Sequence, residues 1–214
     1  MRTGRRHRHA LALIPLLAVG CSSNAVKGSI DGTIVEVKSA MFFSEAEALG
    51  EDGLVTIILT DLKDGCQDYG YYLEATDDVE GANTFAEAWA AVFPPDFWEI
   101  AIILRVADSE VSLDGSEILG ISWDETLQER NQGFASITHN KTFRDAAYFD
   151  ATGPSSDYLT EYVTEGGRIE INKHLPESFI RGEFGTQVVD TENGNNKGLV
   201  RFQFNAPFCD VDIL

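Results

Sequence analysis

The feature that most constrains the fold is an alternation of apolar and polar residues in two segments near the C-terminus. A period of two places successive side chains on opposite faces, so each segment is expected to form a strand with one buried face. The stretch between the segments is polar and contains Asn193-Gly194, a step that suits a hairpin connection. The positions on the buried face are Ile180, Gly182, Phe184, Thr186 and Val188 in the first segment and Val200, Phe202, Phe204, Ala206 and Phe208 in the second. The sequence therefore predicts a C-terminal β-hairpin.

Several earlier segments also predict strands. Residues 168–172 alternate in the same way. Residues 54–59 and 98–106 are nearly continuous apolar runs, which suit strands covered on both faces. The remaining predicted strand is residues 33–43, with residues 134–139 and 146–149 as further candidates.

One helix is predicted, beginning at Thr84. Thr84 and Glu87 match a capping box, in which the two side chains satisfy free N–H groups at a helix start. The apolar face of this helix comprises Phe85, Ala88, Trp89 and Val92. Many short strands with one short helix predict an all-β fold, an antiparallel β-sandwich or jelly-roll-like barrel of about eight to ten strands.

The N-terminus has the order of a secretory signal peptide. Four arginines within the first eight residues precede an apolar run over residues 10–19, and the small residue Gly20 precedes Cys21. A membrane-spanning helix needs about 20 apolar residues, so the run is too short for one. Residues 1–20 are therefore predicted to be a signal peptide that is removed on export.

The residues Leu17-Ala18-Val19-Gly20-Cys21 resemble the bacterial lipobox, in which the cysteine carries diacylglycerol and becomes the N-terminus after cleavage. The resemblance implies a lipoprotein with a palmitate-type membrane anchor on Cys21, and Ser22 resembles an outer-membrane sorting residue. The alternative is an ordinary secreted protein with a cysteine at the cleavage point. The predicted organisation is a signal peptide (1–20), a lipidated tether (21–26) and a single β-sandwich domain (27–214), anchored at the cell envelope in the outer membrane.

The composition of the mature chain is strongly acidic. Removing the four signal arginines leaves 12 basic residues against 35 acidic ones, a formal charge of −23. Such a surface repels phosphate backbones, so nucleic acid is not expected as a partner. Excess acid favours cationic partners or divalent ions, and solubility on a crowded membrane surface is the simpler explanation.

If Cys21 carries lipid, Cys66 and Cys209 remain as a pair. An even pair in an oxidising compartment predicts a disulfide, here between an early loop and the last strand. The alternative makes one of them a nucleophile activated by His139 or His174, because cysteine catalysis requires a thiolate beside a base.

A family resemblance lies in the C-terminal segments. Gly166 to Ile171, Ile180-Arg181-Gly182-Glu183-Phe184 and the last strand ending in Ala206-Pro207-Phe208-Cys209 resemble uncharacterised lipoproteins of the myxobacterial type, which carry a lipobox and a C-terminal Ala-Pro-x-Cys strand. The loop cysteine of that family matches Cys66, so the resemblance also implies the pairing with Cys209. The resemblance implies a fold and a cellular location but no activity.

Three groups of acidic residues could bind a hard cation such as Ca²⁺, which takes six to eight oxygen ligands. The groups are Asp61, Asp64 and Asp68; Glu74, Asp77, Asp78 and Glu80; and Asp108, Glu110, Asp114 and Glu117. Counted from Glu110, the third group has Gly115 at position six of an EF-hand loop but Ile121 at position twelve, where Glu is required. No EF-hand and no cofactor are therefore predicted. An irregular Ca²⁺ site in one of these loops is the alternative.

No catalytic signature is found in the sequence. Motifs such as HExxH, GxSxG and the P-loop are missing, and His139 and His174 lack neighbours at metal-ligand spacing. Trp98 is expected in the core, whereas Trp123 lies between polar residues and is the more open aromatic. The leading hypothesis is a lipid-anchored envelope protein with a non-enzymatic structural or binding role toward an envelope protein or glycan. The alternative is a surface hydrolase or carbohydrate-binding module, which would present a polar cleft or an exposed aromatic platform.

Overall fold

The computed structural model describes residues 24–49, 52–76, 88, 91–94, 96–121, 133–141, 149–150, 153–154, 159–190 and 194–210. Most of these residues lie in strands. The elements are β1 (Ala25–Gly28), β2 (Ser39–Leu49), β3 (Asp52–Thr60), α1 (Gly65–Thr76), β4 (Asp96–Val106), β5 (Glu117–Ile121), β6 (Gly133–Lys141), β7 (Phe149–Asp150), β8 (Gly153–Pro154), β9 (Leu159–Leu175), β10 (Phe179–Asp190) and β11 (Asn196–Pro207).

Nine of the strands form one antiparallel sheet. Its order is β1-β11-β10-β9-β6-β4-β3-β2, with β5 paired to part of β9. Strands β7 and β8, of two residues each, form a separate two-stranded sheet. From β2 to β11 the neighbours follow the order of the chain, so the sheet is a meander. The predicted fold class, an all-β antiparallel sandwich or barrel with one short helix, is confirmed.

The two ends of this meander meet. Phe42 in β2 bridges to Phe208 just after β11, and the Cys209 N–H donates to the Phe42 carbonyl at 2.9 Å. The rings of Phe42 and Phe208 pack edge to face with their centroids 5.3 Å apart. The sheet therefore curls around its buried face and brings its first long strand against its last.

The predicted C-terminal hairpin is confirmed and contributes much of the core. β10 and β11 pair antiparallel with Gly182 opposite Phe204 and Phe184 opposite Phe202. Alternate positions of both strands are buried, and Phe184 and Phe202 are fully buried. Burying a side chain of this size contributes about 1.5–3 kcal/mol. The period-two pattern thus fixes which face of the hairpin points inward.

Helix α1 was not predicted from the sequence. α1 begins at Gly65, so Cys66 lies in its first turn and not in a loop. Its inner face, with Cys66 and Tyr69, packs on the outer side of β2 and β3 against a cluster that includes Met41, Phe43 and Ile58. Of the helix predicted from Thr84, residues 84–87, 89 and 90 lie outside the described residues, whereas residues 88, 91 and 92 are helical, as predicted. No helix in the described ranges is long and apolar enough to cross a membrane.

Two strand boundaries also differ from the prediction. The strand predicted over residues 33–43 starts only at Ser39. β1 begins at Ala25, inside the segment assigned to the tether, and its Val26 packs against the core. The Asn205 N–H donates to Asn24 Oδ1 at 2.9 Å, which fixes the chain just ahead of β1. The part of the domain that the structure describes therefore starts at Asn24.

Candidate binding surface

Some predicted site residues lie outside the described part of the chain, among them Cys21, residues 77–80 of the second acidic group, and Trp123. Cys66 and Cys209 are joined by a disulfide, with their Cα atoms 5.7 Å apart, as predicted. The bridge connects α1 to the residues after β11. It leaves neither sulfur as a free thiol, so the alternative of a cysteine nucleophile is wrong.

Several of the described acidic side chains bind groups of the protein itself. Asp61 accepts a hydrogen bond from the Trp98 N–H at 2.8 Å. Asp114 accepts from the Lys173 ammonium and from the His174 N–H, and these two bonds lower the pKa of Asp114 to about 2. Within the described ranges, no group of three or more His, Cys, Asp or Glu side chains is arranged to hold a metal ion.

The two histidines have structural partners. The His139 Nε2 lies 2.6 Å from an Asp96 carboxylate oxygen, and its ring stacks on Trp98 at 4.1 Å. His174 is fully buried, and its Nδ1 accepts a hydrogen bond from the Leu113 N–H at 3.1 Å. Burial lowers the pKa of His174. Both side chains therefore tie neighbouring segments together.

The outer face of the C-terminal strands carries its charges in rows that run across the strands. Lys27 of β1 lies opposite Arg201 of β11, Arg201 lies opposite Gly185 of β10, and Gly185 lies opposite Arg168 of β9. We call these four residues the basic row. It crosses four strands, and a glycine occupies the place between its two arginines.

A second row of opposite charge lies directly beside the first. Glu183 of β10 faces Glu170 of β9, and Glu170 faces Glu117 of β5. We call these three residues the acidic row. Like charges directly opposite each other repel and destabilise a sheet, and the neighbouring row of opposite charge offsets this repulsion.

Ion pairs connect the two rows. Arg168 contacts Glu117 at 3.2 Å and Glu170 at 2.6 Å, and Arg201 contacts Glu183. Hydrogen bonds from Gln203 and Arg201 lower the pKa of Glu183, so this carboxylate keeps its charge in mild acid. Exposed pairs of this kind contribute only about 0–1 kcal/mol each. The pairs therefore do little for stability, but they place both guanidinium groups beside the glutamates.

A depression lies over Gly185, in the middle of the basic row. Its volume is about 140 Å³, and its lining consists of Arg168, Glu170, Glu183, Gly185 and Arg201. Pockets that enclose whole small molecules measure about 300–1,000 Å³. The depression can therefore take a small ligand or the terminal group of a larger one.

Comparison of the chain with protein-family models, with curated proteins and with solved structures gave no match. The lining offers guanidinium N–H donors and carboxylate acceptors, which suit binding. The lowered pKa of Glu183 keeps this carboxylate ionised, so Glu183 does not suit the general-acid role of a glycosidase pair.

Sequence reasoning did not find this surface. Arg168 and Arg201 belong to different strands, and only the register of β9, β10 and β11 places them on either side of Gly185. The one available signal was a glycine inside a predicted strand, which often marks a close approach by a ligand or another backbone.

Proposed function

We propose that this chain is a lipid-anchored protein of the bacterial cell envelope, acylated on Cys21, with a non-enzymatic binding role. The observation that carries the proposal is the short spacing along the chain between Cys21 and the strand that begins the candidate surface. Only residues 22 and 23 separate Cys21 from Asn24, where the described domain begins. An extended chain spans about 3.3–3.6 Å per residue, so the tether reaches roughly 10 Å.

Strand β1 carries the start of the candidate surface. β1 follows the tether directly, and its Lys27 is the first member of the basic row. A domain anchored through Cys21 would hold this face near the membrane, where envelope proteins and glycans are within reach. The disulfide between Cys66 and Cys209 suits a protein that is exported to an oxidising compartment.

Support for a binding role comes from the chemistry of the lining. The depression is bordered by two arginines and two glutamates around a glycine, and none of these is a serine, cysteine or histidine. Trp98, which could have formed a sugar-stacking platform, is only 6% exposed. The surface therefore favours polar recognition over hydrolysis.

The test is metabolic labelling with a fatty-acid probe. Wild type should incorporate the probe, and Cys21→Ala should lose it and either release the domain or accumulate as precursor. A Cys66→Ala, Cys209→Ala double variant is the matched control, because it removes two cysteines but keeps the lipobox. Equal labelling of wild type and Cys21→Ala would refute the anchor.

A further inference from the structure

Gly185 is not required by the backbone at its position. A Cβ atom there would meet nothing nearer than the Val200 carbonyl oxygen at 3.8 Å. Gly182 in the same strand differs, because its Cβ would lie 2.2 Å from the Glu170 carbonyl oxygen. The nearby irregularity in the pairing of β9 and β10 is explained by Gly166, which adopts a φ of 67°. The glycine at position 185 therefore leaves space that a side chain could fill without strain.

The groups around this space offer more donors than acceptors. Arg201 uses one terminal nitrogen on Glu183, and its Nε and Nη1 have no hydrogen-bond partner among the described residues. Both oxygens of Glu183 are already bonded, one to Arg201 and the other to Gln203 at 2.7 Å. Lys27 lies outside the lining of the depression, and its charge acts on Glu183. An acceptor group, and above all an anionic one, satisfies these donors best.

We infer that the depression over Gly185 binds a single anionic group, a carboxylate or a phosphate, at the end of a soluble ligand. The guanidinium groups of Arg168 and Arg201 would donate to it from either side, since a guanidinium presents several N–H donors in a planar fork. The strongly acidic remainder of the mature chain repels polyanions and anionic membranes, so one isolated charge fits better than a chain of phosphates. This inference names the ligand class for the proposed binding role and rests on that role, but it does not depend on the anchor at Cys21.

The decisive variant is Gly185→Val, which fills the depression and leaves every charge in place. The protein is the mature chain in detergent micelles, and the probes are inorganic phosphate and glucuronate, with glucose as the neutral control. Isothermal titration should show both anions binding to wild type and glucose not binding. Gly185→Val should weaken anion binding by about tenfold or more, because a charge-assisted hydrogen bond is lost with each displaced donor. Thermal unfolding should show Gly185→Val to be as stable as wild type, because valine suits an unstrained strand position.

Two charge variants separate the basic row from general electrostatics. Arg201→Gln should weaken binding of both anions by about tenfold or more, whereas Lys63→Gln removes one exposed cation from the loop before α1 and should leave it unchanged. Binding should also weaken as salt is added, since ions screen an exposed site. If neither anion binds to wild type, or if Gly185→Val binds as well as wild type, the inference is wrong.

A vesicle arm distinguishes a soluble ligand from a lipid headgroup. The mature protein with Cys21→Ala, which carries no lipid of its own, is mixed with phosphatidylglycerol vesicles and, separately, with phosphatidylcholine vesicles. Its sedimentation is compared with that of the same protein carrying Gly185→Val as well. Equal sedimentation of the two proteins supports the soluble source. Sedimentation with phosphatidylglycerol that is lost in Gly185→Val, without binding of the free anions, would overturn it in favour of membrane docking. Labelling of Cys21 is unaffected by any of these outcomes, so failure here is distinct from failure of the anchor.

Discussion

Opening the disulfide between Cys66 and Cys209 should destabilise the domain by about 2–5 kcal/mol. The bridge closes a loop of 143 residues. The loss of chain entropy for a closed loop of that length gives roughly 5 kcal/mol, which is the upper end of the expected range. The perturbation is the Cys66→Ala, Cys209→Ala double variant, or reduction of the wild-type protein.

Contacts that survive without the bridge reduce this cost. The Cys209 N–H would still donate to the Phe42 carbonyl, and the Phe42 and Phe208 rings would still pack. α1 would keep its apolar contact with β2 through Tyr69 and its neighbours. We therefore expect a weakened domain that remains folded at room temperature.

The assay is urea unfolding followed by tryptophan fluorescence and far-ultraviolet circular dichroism. The double variant should unfold at lower urea and with a steeper dependence on urea, because an unfolded chain without a crosslink exposes more surface. Thiol titration of the reduced wild type provides the control that the bridge is open. An unchanged midpoint in a sample with both thiols titrated would refute the reasoning.

Two further predictions concern single side chains of the sheet. Burial raises the pKa of Glu99 to about 7, so the folded protein holds this proton more tightly than the unfolded chain and loses the resulting stabilisation as the pH rises from about 4.5 through 7. Glu99→Gln should therefore raise the free energy of unfolding by about 1–3 kcal/mol at pH 8 and have little effect at pH 4.5. We expect a gain near the lower end of this range, because the Glu99 side chain is partly exposed. A gain of equal size at both pH values would contradict this explanation. Gly182→Ala should destabilise the fold by about 1–3 kcal/mol, because the new Cβ would overlap the Glu170 carbonyl oxygen, whereas Gly185→Ala in the same strand should be neutral. Equal urea midpoints for these two variants would show that the close approach at Gly182 is not limiting.

The strands were predictable because burial follows a period of two in the sequence. The alternation of Ile180, Phe184 and Val188 identified β10, and the apolar run of residues 98–106 identified most of β4. These patterns depend only on neighbours along the chain. They fix which face is buried and roughly where each strand lies.

Helix α1 was not predicted because its residues favour helix only weakly. Gly65 and Gly70 carry a conformational cost in a helix, and Tyr71 and Tyr72 have modest helix propensity. Contact with the sheet and the disulfide from Cys66 to Cys209 stabilise the helix where intrinsic helix propensity is low.

The candidate surface was not predictable for a different reason. A row across a sheet joins residues that are far apart in sequence, and a shift of one residue in any strand would move Arg168 or Arg201 to the other face. The sequence pattern specifies the faces of each strand but not the pairing between strands. The depression over Gly185 exists only once that pairing is known.

The meeting of β2 with the chain after β11 has a consequence for the way the domain assembles. β2, β3 and β4 can pair with their sequence neighbours before the later strands have formed. The other edge of β2 stays open until Phe208 arrives, and forming such a distant contact is slow because the intervening chain must first be ordered. During that interval the domain has an exposed strand edge, the feature through which partly folded chains associate. The residues just after β11 thus protect the first long strand from pairing with other copies of the folding chain.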